Sequence, residues 1–113
     1  MGVRTGAEFI AGLRNNREVW LGRERVKDVT VHPLFRPSIE SLARLYDMQH
    51  EAASQGLLTY PSPTSGDPVG LSFLIPRTRE DLVRRRRMIT LWADTSCGRM
   101  GRSADFLNTM VTA

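Results

Sequence analysis

The run Cys97-Gly98-Arg99-Met100-Gly101-Arg102-Ser103-Ala104-Asp105-Phe106 holds the residue types in this chain best suited to chemistry. Gly98 and Gly101 bracket a basic turn. Ser103 suits a helix N-cap, and Asp105 then falls in the first turn, where a negative charge complements the helix dipole. An arginine held just outside such an N-terminus can meet an anion or a polarised oxygen with its planar fork of donors. The same residues also serve as a plain joint between two helices, with a solvated arginine. Residue types alone leave both readings open.

Other chemistries are thinly supplied. Cys97 is the single cysteine, which excludes an intrachain disulfide and any multi-cysteine metal site. As a nucleophile it would need a base, and His32 and His50, the only histidines, lie far off in sequence. Cys97 is therefore expected to be a small packed thiol. His32, just before Pro33, is expected to be a hydrogen-bonded turn residue rather than a catalyst. No zinc-type spacing, Walker loop or dinucleotide-binding glycine pattern occurs, so no metal is expected.

The bulk properties narrow the classes further. A chain of 113 residues is about one small domain, and 41% hydrophobic with 25% charged residues is ordinary globular composition. The net charge of +4 is carried almost wholly by arginine, with Lys27 the only lysine. Apart from Arg84 to Arg87 the arginines are dispersed and do not interleave with aromatics, so no nucleic-acid partner is expected. The N-terminus lacks a secretory apolar core and no apolar run is long enough to span a bilayer; no membrane association and a cytoplasmic location are the expectation.

The elements that must position the turn can be read in order. Thr5-Gly6-Ala7-Glu8 has the form of a capping box, opening a short helix with Phe9, Ile10 and Leu13 on one face and an end near Asn15-Asn16. Glu18 to Leu21 and Arg25 to Asp28 flank Gly22-Arg23-Glu24 as a hairpin. Asp28 to Pro33 is expected to be extended. Ile39, Leu42, Ala43, Tyr46 and Ala53 make a helical stripe, opened by Ser38 or the Pro33 and Pro37 turns and stopped by Gly56. Leu57 to Tyr60 reads as a short strand, Pro61 to Pro68 as a proline-rich surface loop or lid, and Leu71 to Ile75 as a strand or extended core segment. Thr78 caps a long helix, with Glu80 and Asp81 in its first turn. Leu82, Ile89, Trp92, Ala93 and Ser96 form its expected core face, and Arg84 to Arg87 a solvated one. Phe106, Leu107, Met110 and Val111 begin a last amphipathic helix with little chain left to pack against, so the chain is expected to belong to a larger architecture.

Several motifs carry a resemblance. They are Arg4-Thr5-Gly6-Ala7-Glu8-Phe9, Gly22 to Thr30, His32-Pro33-Leu34-Phe35-Arg36 and Leu45 to His50. They continue with Thr59-Tyr60, Ser62-Pro63-Thr64-Ser65-Gly66, Ser72 to Pro76, Arg79-Glu80-Asp81-Leu82, Leu91-Trp92-Ala93 and Met100-Gly101-Arg102-Ser103. In this order they resemble the N-terminal domain of the oxygenase components of 4-hydroxyphenylacetate 3-monooxygenases, over nearly the whole chain. The resemblance implies a mainly α fold with a small β-hairpin. Residues 1–113 would be the N-terminal helical domain of an acyl-CoA dehydrogenase-like fold, without its middle β domain and C-terminal helical bundle.

It also implies FAD, used as FADH2 supplied by a separate NAD(P)H:flavin reductase, with O2 and a phenol as the other reactants. The phenol is hydroxylated ortho to its hydroxyl, and the full-length family forms homotetramers. Alone, the 113 residues would be inactive. The catalytic arginine carries over to Arg102, and Arg102, Ser103, Ala104, Asp105 and Phe106 become the substrate-binding segment. Most FAD-binding residues would lie beyond Ala113. Ala104 replaces the family's proline, and Phe106 replaces a tyrosine, removing a hydroxyl that could bond the substrate. Two alternatives stand beside this reading: a flavoprotein of the 4-hydroxybutyryl-CoA dehydratase type, which the Met-Gly-Arg-Ser stretch resembles less, and a non-catalytic helical interaction module.

Overall fold

The computed structural model describes residues 2–98 and 110–111, which divide into two compact units. One is Arg4–Asp47; the other joins residues 2–3 to the described residues from Met48 onward.

The first unit starts with α1 (Gly6–Leu13). The capping box forms as the sequence predicts: the Glu8 amide donates to Thr5 Oγ1 at 3.2 Å, and the Thr5 amide to the Glu8 carboxylate at 2.7 Å. A hairpin follows, β1 (Val19–Leu21) and β2 (Glu24–Val26), antiparallel with Leu21 opposite Glu24. Glu24 is thus a strand residue, and the turn is Gly22-Arg23 alone. Gly22, at φ 61°, supplies the left-handed backbone that such a tight connection needs.

Asp28 to Pro33 is not extended. The Asp28 carboxylate accepts from both the amide and the hydroxyl of Thr30, and the His32 carbonyl accepts from the Phe35 and Arg36 amides, so the segment coils into turns that lead into the next helix. His32 has the structural role expected of it: its Nδ1 accepts from the Leu34 amide at 3.2 Å, and its Nε2 stands 3.5 Å from Glu24.

Helix α2 (Arg36–Met48) presents Ile39 and Ala43, both buried, with Pro37 in the first turn where a missing amide hydrogen costs nothing. It packs on α1 through Phe9 and Tyr46, whose rings stack at 4.9 Å, and through Gly6, whose amide donates to Asp47 at 2.7 Å.

The helix stops short of Ala53. In the second unit the Met48 carbonyl accepts from Ser54 Oγ at 2.6 Å and from the Glu51 amide, which folds the chain back into turns. Gly56 is therefore no terminator; it lies within α3 (Gln55–Leu58). Strands β3 (Thr59–Pro61) and β4 (Pro68–Gly70) pair antiparallel around the proline-rich loop, so strand structure begins at Thr59 rather than Leu57. The loop is tied by its own serines and threonines, and the Ser62 amide donates to the Asp67 carbonyl at 2.8 Å.

Leu71–Phe73 is a 3₁₀ turn, not a strand, because the pairing strand has already been spent on Pro68–Gly70. Its Leu71 and Ser72 are buried, while Phe73 and Ile75 are exposed. Helix α4 (Arg79–Ser96) packs on α3 and this turn. Its buried stripe is Arg85, Met88 and Trp92, whereas Leu82 is 58% exposed. Of the expected core face Trp92 is buried and Ile89, Ala93 and Ser96 are half-buried, while Leu82 is exposed; the buried line is shifted toward Met88 and Arg85, and Arg85 belongs to the interior rather than to a solvated run. Leu58, Leu71, Met88 and Trp92 form the core of this unit.

Candidate active site

The element that leads to the predicted site is α4. Its start repeats the capping box: the Asp81 amide donates to Thr78 Oγ1 at 3.1 Å, and the Asp81 carboxylate accepts from the Arg77 and Thr78 amides at 3.0 and 3.2 Å. Those contacts hold the Asp81 carboxyl below its usual pKa, the Arg77 amide contributing most.

At the other end, Cys97 adopts the left-handed conformation (φ 54°, ψ 40°), followed by Gly98 at φ 75°. The amides of both donate to the Ala93 carbonyl, closing the helix as a Schellman-type end. The sequence points to Gly98 and Gly101 as the brackets of a basic turn; the left-handed backbone starts one residue before Gly98, on a non-glycine position. Cys97 is exposed, which corrects its expectation as a packed thiol: a residue in that reversal projects away from the helix face that packs.

Arg102, Ser103, Ala104, Asp105 and Phe106 lie outside the described residues. What is described is the abutment of the turn, a long helix capped at both ends that delivers the chain into it. Met110 and Val111, farther on, are helical and exposed; Phe106 and Leu107 of the expected last helix lie outside the described residues.

Surface depressions among the described residues include two of defined lining. One of about 480 Å³ is lined by Asn15, Asn16, Arg17, Arg25, Val26 and Lys27; the other, of about 210 Å³, by Gly56, Leu57, Glu80, Arg84 and Arg87. The first is lined mainly by polar side chains and neither is enclosed, whereas a flavin ring calls for an enclosed, largely apolar slot. No group of three or more metal-ligating side chains is found among the described residues. None of their helices is long and apolar enough to cross a membrane. The basic depression beside the hairpin was not singled out from sequence. Its signal is the local density of cations, Arg17 ahead of the hairpin and Arg23, Arg25 and Lys27 within or just after it.

Comparison with known proteins places the chain among relatives. A family model described as 4-hydroxyphenylacetate 3-hydroxylase N terminal matches residues 5–113. The 4-hydroxyphenylacetate 3-monooxygenase oxygenase component of Thermus thermophilus is 47% identical over 112 residues, covering 98% of this chain and 23% of that protein. A crystal structure of such an oxygenase component complexed with FAD and 4-hydroxyphenylacetate superposes with a TM-score of 0.88 at 46% identity, over 96% of this chain and 23% of that one. An oxygen-tolerant archaeal 4-hydroxybutyryl-CoA dehydratase from N. maritimus is also similar, with a TM-score of 0.68 and 32% identity over 80% of this chain and 18% of that one. The chain thus spans about a quarter of the length of the proteins it matches.

Proposed function

The chain belongs to the 4-hydroxyphenylacetate 3-hydroxylase N-terminal family, and from that premise we propose that it supplies the N-terminal part of an FADH2-dependent aromatic monooxygenase. The observation that carries the reading is the combination of 46% identity with a TM-score of 0.88 to an oxygenase component that binds FAD and 4-hydroxyphenylacetate. The lower likeness to the dehydratase makes that reading second. The substrate is 4-hydroxyphenylacetate or a related phenol, hydroxylated ortho to its hydroxyl. A separate NAD(P)H:flavin reductase supplies FADH2, and the assembled enzyme is a cytoplasmic homotetramer without nucleic-acid or membrane partners.

In this reading residues 1–113 are the domain that brings Arg102 to the substrate. The flavin supplies the oxygen chemistry when bound; the protein binds, orients and excludes water. Arg102 is the catalytic residue, a fixed cation for the phenol oxygen, and Ser103, Ala104, Asp105 and Phe106 complete the substrate-binding segment. Phe106 offers no hydroxyl to the substrate, so the phenol oxygen depends more heavily on Arg102.

The test is a chimera in which this chain replaces the matching segment of the Thermus oxygenase component, assayed with a flavin reductase, NADH and 4-hydroxyphenylacetate. Ortho-hydroxylated product is expected from the chimera and none from the 113-residue chain alone. Arg102→Ala in the chimera is expected to cut product formed per NADH by about a hundredfold, the scale of losing one charged stabilising donor. Unchanged product yield in that variant would refute the role of Arg102. A folded, FAD-binding chimera that makes no product would refute the functional reading.

A further inference from the structure

The depression beside the β1–β2 hairpin gathers positive charge. Three of its six lining residues, Arg17, Arg25 and Lys27, are cationic, and none is a carboxylate. Arg25 lies in β2 and Lys27 in the bend just after it, and both line the depression. Arg17 enters from the segment ahead of β1, where Asn15 holds the backbone: its amide donates to the Gly12 carbonyl at 3.0 Å, and its carbonyl oxygen accepts from the Arg17 amide at 3.0 Å. Asn16 adds a further side-chain amide to the lining.

The neighbouring carboxylates do not neutralise this group. Asp28 is occupied by Thr30, at 2.8 and 2.6 Å, and by Arg14 at 3.4 Å. Glu18 reaches Arg25 at 3.2 Å, but both side chains are about 60% exposed, so the pair is wet and weak. Arg17 and Lys27 have no carboxylate within ion-pair distance among the described residues. Three cations around one concavity repel one another, and an anion seated there relieves the repulsion. Two guanidinium forks with a point-charge ammonium match a tetrahedral dianion better than a small monoanion.

We propose that this depression binds a phosphate group, either free inorganic phosphate or the phosphate of a nucleotide. The test is residue-resolved amide NMR of the 113-residue chain, titrated separately with inorganic phosphate, ADP and chloride at matched ionic strength. Saturable shifts are expected at Asn16, Arg17, Val26 and Lys27 with phosphate and ADP, at a Kd of about 1 mM for phosphate, and not with chloride. Tighter binding of ADP identifies a nucleotide site; equal binding identifies a site for phosphate alone. The double variant Arg17→Gln, Lys27→Gln should weaken binding at least about tenfold. Lys27→Arg should retain it, as should Arg23→Gln on the hairpin turn outside the depression. Shifts with chloride equal to those with phosphate, or undiminished binding by the double variant with its spectrum otherwise intact, would overturn the proposal.

Discussion

Helices α1 and α4 open with the same local device, and comparing them separates what a cap does from what packing does. Both have a threonine N-cap, an acidic residue three positions on, and reciprocal hydrogen bonds between the two. Beyond that they diverge. Helix α1 has eight residues, too short to persist on propensity, and it is fastened by its first residue: the Gly6 amide donates to Asp47, and a Cβ there would sit 2.6 Å from both the Ala43 carbonyl oxygen and Asp47 Oδ2. Helix α4 has 18 residues and is held by its middle, where Met88 is 1% and Trp92 4% exposed. The same cap thus serves one helix pinned at its end and another held by its middle.

The difference can be broken at either helix. Met88→Ala removes a fully buried side chain from α4 and is expected to lower unfolding stability by about 2–4 kcal/mol in urea denaturation, because the site cannot wholly collapse. A loss below about 1 kcal/mol would mean that α4 is not held by its middle. Gly6→Ala drives a methyl into the Ala43 backbone oxygen and should cost about 1–3 kcal/mol. Phe9 and Tyr46, which stack across the α1–α2 contact, report on it: the Tyr46 ring resonances in NMR should shift in Gly6→Ala and stay as in the parent in Met88→Ala.

Smaller effects sharpen the comparison. Thr5→Ala and Thr78→Ala each remove one cap and should cost about 1 kcal/mol. Hydrogen exchange should then show fraying confined to the first turn of α4 in Thr78→Ala, and loosening through much of the short α1 in Thr5→Ala. Equal, end-limited fraying in both would contradict the contrast.

The smallest expected effect is that of acid. The Asp81 carboxyl is held below its ordinary value by the Arg77 amide first, and that of Asp28 by the Thr30 hydroxyl first. A lowered folded-state pKa contributes stability that is fully present above the unfolded value, about 3.9, and lost as pH falls through the folded value. Stability should therefore decline below about pH 4, and Asp81→Asn should flatten part of that decline. An unchanged acid slope in Asp81→Asn would show that the Arg77 and Thr78 amides do not favour the ionised carboxylate.

Much of this was legible in the residues, and unevenly. Thr5-Gly6-Ala7-Glu8 and Thr78 with Asp81 marked both helix starts, because a capping box closes within four residues and needs no distant partner. The Gly22 turn was legible for the same reason. The end of α2 was not: Ala53 continued its apolar stripe, but Ser54 reaches back to the Met48 carbonyl, and periodicity contains no term for that bond. Nor was the shift of the buried line on α4 legible, since Leu82 and Met88 are equally apolar, and only the placement of α3 and the 3₁₀ turn decides which is covered. As for the site, the motif around Arg102 is legible by resemblance, while the basic depression is not, because Arg17 meets Arg25 and Lys27 only once the hairpin is closed.

By itself, then, the sequence determined the family, the helix caps and the tight hairpin, all of which rest on residue identity over short spans. Only the tertiary structure decided which face of α4 is core, where α2 ends, that Arg85 is interior, and that Cys97 takes the left-handed turn at the edge of the candidate site. Those outcomes depend on which surfaces lose water to one another and which carbonyls find distant donors. Such pairings are set by the packing of whole elements, which no single stretch of chain encodes.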